Sequence, residues 1–219
     1  MNWDFIREYY PLYIEAMKLT ISVALISIVF AVLIGLLIGM IDYYKIPILK
    51  NVCQMYIEVS RNTPLLIQLF FLYFGLPKMG IVLSSMQCAI IGLTFQGGSY
   101  MANAFKVGLD NIRVTQNEVA LSLGMTQVEA FVHVILPQGI ITSIPAICAN
   151  VIFMIKETST FSAVALADLM YVAKDLIGMY YNTTEALTLL VISYLIILLP
   201  ISIIFTIVER RVRYATFGN

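Results

Sequence analysis

The residues of this chain with usable chemistry are the polar ones that interrupt long apolar stretches. Gln96, Ser99, Asn103, Lys106 and Asp110 recur at i, i+3, i+7, i+10 and i+14. On a helix turning about 100° per residue they share one arc of about 80°. Ser143, Asn150 and Glu157 repeat every seven residues, and Arg61 and Gln68 are also seven apart, with a Thr63-Pro64 step between them that is able to break the helical register. Polar groups are costly in hydrocarbon, so such stripes must face protein or water. Two roles fit: a path that replaces the hydration of a polar solute, or hydrogen bonds that tie helices together. Ser99 and Ser143 suit the second role better, although Ser99 sits on the same stripe as the path candidates. Gln96, Asn103 and Asn150 suit the first, with Arg61 and Gln68 beside them. Lys156-Glu157 ends a charge-free run of 22 residues. This pair is either an ion pair at the outer interface or a gate that offers both charges to a zwitterion.

A polar loop, 113–137, lies between two apolar stretches. Thr115-x-x-Glu118 and Thr126-x-x-Glu129 both have capping-box spacing, in which the threonine accepts from the N3 amide and the glutamate reaches back. Gly124 between them suits the left-handed position that ends a helix. The spacing predicts two short helices joined at Gly124, the second limited by Pro137. In that second helix Val128, Phe131 and Val132 are expected to share a face. The loop reads either as an amphipathic hairpin on lipid or as a docking site for a soluble protein. It has almost no Lys or Arg, which excludes nucleic acid as its partner. No G-x-x-x-x-G-K-[ST] phosphate loop occurs, so transport energy must come from a separate ATPase or an ion gradient. Cys53, Cys88 and Cys148 lack metal-ligand spacing and read as small buried hydrophobes. No metal, cofactor or catalytic group is expected in this chain.

These groups are carried by a chain that is 60% hydrophobic and 12% charged, with net charge zero and mean hydropathy +0.90. Soluble domains are about 45–50% apolar. An all-α integral membrane protein of one domain follows. The spans are expected near 19–41, 56–77, 84–106, 138–157 and 186–208. Lys45, Lys50, Arg61, Lys106, Arg113 and the tail Arg210, Arg211 and Arg213 fall on one side if the C-terminus is cytoplasmic. The positive-inside rule therefore places the N-terminus outside and the 113–137 loop in the cytoplasm. The charged first 18 residues do not read as a removable signal. Gly35-x-x-x-Gly39 is a candidate helix-packing seam, Pro200 a candidate kink, and 163–184 a short helix or loop on the outer surface.

Glu118-Val119-Ala120, then Gly124, then Val134 and Leu136-Pro137 resemble the EAA loop of ABC-importer permeases, with Val119 and Val134 as conservative departures. Arg61-Asn62-Thr63-Pro64-Leu65-Leu66-Ile67-Gln68, Gly75-Leu76-Pro77, Gln138 and Ile155-Lys156-Glu157-Thr158-Ser159 resemble the polar amino acid branch of that family, of histidine, glutamine and arginine type. The likeness covers roughly 56–167. It implies a type I importer permease fold in a bacterial cytoplasmic membrane. It also implies a coupling surface for an ABC ATPase at Glu118, Ala120, Gly124, Val128, Phe131 and Pro137. The implied partners are two ATPases that carry ATP and Mg, a second permease (identical or paralogous) and an extracellular or periplasmic binding protein. Where the family often has Ala-Tyr-x-x-Glu, this chain has Ser99-Tyr100-Met101-Ala102-Asn103. The missing charge points to a polar or neutral amino acid as substrate. A secondary transporter or channel without an ATPase is the alternative; the absence of an inverted repeat counts against it. A scaffold has no need of the polar stripe.

Overall fold

The computed structural model describes residues 1–217, with side chains described as far as Val212. Arg213 of the basic tail lies outside the described side chains. All regular structure among the described residues is helical. Helix α1, Trp3–Tyr43, is capped by the Asn2 side chain, which accepts from the Phe5 N–H at 3.2 Å. Its 41 residues extend about 60 Å, twice the thickness of a hydrocarbon core. The stretch 19–41 is thus only the C-terminal part of a longer helix. The N-terminal turns bury Phe5, Tyr13 and Ala16 against α8, Leu169–Tyr180, and α9, Thr183–Phe217. Tyr13 donates to the Ala186 carbonyl at 2.8 Å, and the Asn2 amide donates to Glu185 at 2.7 Å.

Helix α4, Ser85–Asp110, is the central strut, buried along most of its length between α1 and α7, Leu136–Glu157. Small residues allow this. A Cβ on Gly35 would meet Met101 Cβ and lie 2.7 Å from the Ala102 nitrogen, and one on Gly39 would lie 2.9 Å from Phe105 Cβ. The Gly35-x-x-x-Gly39 seam is therefore the α1–α4 contact. On the opposite side Gly108 faces Ser143, and Thr142 Oγ1 donates to the Gly108 carbonyl at 2.8 Å. Outward faces carry large apolar side chains such as Leu37, Ile196 and Ile203, all more than half exposed. By length and composition three helical stretches are able to cross a membrane: Trp3–Tyr43, Gln127–Val164 and Thr183–Val212. Helix α9 continues through Pro200, and a short 3-10 turn, Thr158–Val164, leads to α8 in the 163–184 region.

Three local expectations need correction. The stretch 56–77 is not one helix. Helix α2, Pro47–Asn62, stops at an extended Thr63-Pro64 step, and α3, Leu65–Phe70, restarts and loosens into a π turn, Phe71–Gly75. Proline disfavours helical geometry in the residue before it, which forces the break. The Thr115 capping box is absent. Helix α5, Val114–Ser122, begins earlier at an uncapped Arg113, which puts Thr115 inside the first turn. Ile112, just before this start, packs against the cluster of Leu109, Phe131 and Ile135. Pro137 does not end the second loop helix. Helix α6, Gln127–Ala130, passes through a π turn, Phe131–Ile135, directly into α7. The shifted register there accommodates a residue that has no N–H to give.

Candidate coupling surface and polar pathway

The 113–137 loop is a compact platform. Helix α5 ends in a Schellman motif: the Met125 amide donates to Ala120 O at 3.2 Å and the Gly124 amide to Leu121 O at 3.0 Å. Gly124 takes φ +87°, and a Cβ there would meet nothing, so the need for glycine is purely conformational. The Thr126 capping box forms in full, with Glu129 accepting from the Thr126 amide at 2.8 Å and donating its own amide to Thr126 Oγ1 at 3.3 Å. The bonds from the Thr126 amide and hydroxyl hold the Glu129 carboxyl below the usual carboxylate range.

The loop's side chains divide by direction. Glu118, Gly124, Val128 and Pro137 are exposed, whereas Ala120 and Phe131 are buried. Val128 and Phe131 therefore do not share a face. Phe131 points back into the body, its ring centroid 4.8 Å from that of Tyr43 and 4.9 Å from that of Tyr44. Exposed apolar residues cluster around the glycine turn: Val119 at 57%, Leu123 at 76% and Val128 at 63%. Val114, Val119 and Leu123, absent from the expected coupling set, belong to this surface. An apolar side chain beside a helix-ending glycine is the signal that could have marked Leu123.

The polar stripe separates into bonded and open parts. Gln96 and Ser99 are buried. Ser99 donates to the Gln96 carbonyl at 2.7 Å and receives the Ser60 hydroxyl at 3.1 Å, tying α2 to α4. Ser60 and Tyr56 both reach the Phe95 carbonyl, at 2.9 and 2.7 Å. Their i, i+4 hydroxyls were a missed signal for this contact. The Gln68 amide donates to Ser60 O at 3.1 Å and Thr63 O at 3.0 Å, bracing the carbonyls freed by the α2–α3 break. Ser143 bonds within its own helix to Gly139 O at 2.6 Å.

Other members converge on Tyr100. The Arg61 guanidinium lies 5.2 Å from the Tyr100 ring centroid, and Asn150 donates to the Tyr100 carbonyl at 3.1 Å. Lys156 is exposed and Glu157 half-buried, two turns beyond Asn150 on α7. Asn103 is exposed one turn below Tyr100, where it lines a cavity of about 210 Å³ with Asp42, Lys50, Gln54, Glu58 and Lys106. The structure thus joins Arg61 to Asn150 through Tyr100, leaves Lys156 and Glu157 further along, and gives Asn103 a separate mixed-charge recess.

A helical, lipid-facing chain with polar groups on its inner helices and a helix–glycine–helix platform at one end has the build of a transport permease. It belongs to the family of binding-protein-dependent transport system inner membrane components, whose model matches residues 15–214. It is 33% identical to the probable amino-acid permease protein YxeN of Bacillus subtilis over 218 residues, 96% of this chain and 95% of that one. It is 29% identical to the glutamine transport system permease protein GlnP of Escherichia coli K12, over 97% of this chain and 98% of that one. Among solved structures, an amino acid ABC transporter with histidines superposes with TM-score 0.89 at 31% identity, covering 96% of this chain and 99% of that chain. The MetNI methionine ABC transporter, in an inward-facing form, shares the fold at TM-score 0.78 and 22% identity, covering 92% and 96%.

Proposed function

We propose that this chain is the translocating subunit of an ATP-driven importer of a polar or neutral amino acid in a bacterial cytoplasmic membrane. It forms one domain that crosses the membrane five times, with the second crossing broken at Thr63-Pro64. Its N-terminus is outside, and its C-terminus and the 113–137 platform are in the cytoplasm. Two ABC ATPases, which carry ATP and Mg, seat against Glu118, Leu123, Gly124, Val128 and the exposed Pro137; the buried Ala120 and Phe131 hold that surface to the body. A second permease, identical or paralogous, completes the pathway, and a binding protein delivers substrate to the outer face.

The observation that carries this reading is the apolar cluster of Val119, Leu123 and Val128, uncovered around a glycine turn whose geometry is fixed by backbone bonds. Exposed apolar side chains on a rigid platform favour a protein partner. Arg61, Asn150, Lys156 and Glu157 offer the cationic and anionic groups that replace the hydration of an amino acid. Gln96, Ser99 and Gln68 hold the frame around them, and Asn103 sets the charge below. Leu123→Asp tests the platform. The variant should fold, since the side chain is 76% exposed, yet lose the ABC ATPase that co-purifies with the wild-type chain. An ATPase retained at wild-type level, with normal uptake, would remove the platform as the coupling surface.

A further inference from the structure

The corner where α1 ends holds a cluster that neither the platform nor the polar stripe explains. Asp42 places Oδ1 3.1 Å from Lys50 Nζ of α2 and Oδ2 3.1 Å from Lys106 Nζ of α4. The next two residues, Tyr43 and Tyr44, close over Phe131 of the platform with ring centroids 4.8 and 4.9 Å away. Three consecutive residues therefore touch the platform on one side and α2 on the other.

Helix α2 is the element such a contact is able to move. Among its described residues Ser60 alone is buried, while Ile48, Val52, Met55 and Val59 are uncovered. Its far end stops at the extended Thr63-Pro64 step. Its ties to α4 gather near its far end: Tyr56 and Ser60 to Phe95 O, Ser60 to Ser99, the Tyr56 ring on Phe95 at 5.0 Å, and Arg61 over Tyr100. An element with few residues buried against its neighbours and a break at its end has a natural pivot.

We propose that residues 42–44 transmit movement of the platform to α2, with Asp42 as the positioning residue. Displacement of Phe131 shifts Tyr43 and Tyr44. Asp42 then draws Lys50 with it, and α2 swings about Thr63-Pro64. Lys106 of the α4 strut holds the other oxygen of the same carboxylate, so a shift of Asp42 with Lys50 loosens its contact with Lys106. The cavity between Asn103, Glu58 and this ion cluster changes width as α2 moves. Partly exposed ion pairs are individually weak, which suits a tie that must yield between two positions. The proposal rests on the platform being the ATPase contact.

The test uses the whole transporter, with its ATPase and binding protein, reconstituted in liposomes. Uptake and ATP hydrolysis are measured together. Asp42→Asn and Lys50→Gln are each expected to lower the substrate moved per ATP by about fivefold, the fold-change equivalent of losing about 1 kcal/mol. ATP hydrolysis should stay within about twofold of wild type, and Asp42→Glu should recover most of the ratio. Equal falls in uptake and hydrolysis, or an unchanged ratio, overturn the proposal. Should Asp42→Asn fail to assemble, Lys50→Gln decides, because Lys50 is 36% exposed at a helix end. A wild-type chain that retains no ATPase overturns the platform's assignment and the transmission with it. A retained ATPase with an unchanged ratio overturns the transmission alone.

Discussion

Asp168 carries the most pronounced single-residue chemistry outside the proposed pathway. It is fully buried at the start of α8, where Oδ1 accepts the Tyr171 N–H at 3.0 Å and Oδ2 is buried without a hydrogen-bond partner. Burial pushes its carboxyl up to about 6, against the opposing pull of the Tyr171 and Met170 amides and of Lys174. The charged form is thus the disfavoured one in the folded chain. The contribution to stability is fully present below about pH 4 and is lost as pH rises through about 6. Asp168→Asn keeps the capping oxygen and removes the charge. It should raise the apparent Tm in detergent at pH 7.5 by several degrees, at about 2–4 °C per kcal/mol. It should also flatten the Tm profile between pH 5 and 7.5. A wild-type Tm that falls on acidification across this window would reverse the assignment. At the same scale, Gly124 was legible from sequence because a left-handed helix end needs glycine whatever surrounds it. Thr115 misled, because the helix starts at Val114 after an uncapped Arg113 and leaves Thr115 inside the first turn.

Among elements, the α1–α4 crossing is set by the absence of side-chain atoms. Gly35→Ala would drive a Cβ into Met101 Cβ and the backbone of Ala102, which cannot move without parting the helices. A loss of about 1–3 kcal/mol or more is expected, read as a lower Tm and reduced yield in detergent. Gly178→Ala is the contrast, since a Cβ there meets nothing and the residue lies inside α8. It should be neutral or slightly stabilising, by up to about 1 kcal/mol. Equal losses at both positions would contradict the close-approach account. The seam was visible as a Gly-x-x-x-Gly pattern, but its partner was not, since no local rule selects α4 among several apolar helices. The breadth of α1 was also hidden. Its N-terminal turns carry charges and look unlike a span, yet they remain helical by packing Phe5 and Tyr13 on α8 and α9.

Across the whole molecule, the proposed route exists only as an arrangement of α2, α4 and α7. Asn103 faces a recess that also holds Asp42, Glu58, Lys50, Lys106 and Gln54, so that two uncharged amides stand among two carboxylates and two ammoniums. Asn103→Glu adds a third carboxylate there. It should shift the preference of reconstituted uptake toward cationic amino acids by about tenfold, the worth of about one favourable charge contact. A substrate profile identical to wild type would take Asn103 out of the route. The stripe from Gln96 to Asp110 looked uniform on a helical wheel. In the fold Ser99 is bonded to Ser60 of α2, the Gln96 side-chain oxygen is buried without a hydrogen-bond partner, and the lower part opens to the recess.

The sequence by itself determined the membrane setting, the helical class, the lack of a phosphate-binding loop and the glycine-jointed form of the platform. Each depends on composition or on hydrogen bonds that span only a few residues, and such effects are complete before distant segments meet. The tertiary structure decided which polar groups are spent on helix contacts and which remain open. It also decided where α5 begins, that α6 flows through Pro137 into α7, and that Asp42, Tyr43 and Tyr44 link the platform to α2. Those outcomes turn on burial and on hydrogen-bond and ion-pair partners supplied by helices far away in the chain, and no local spacing encodes them.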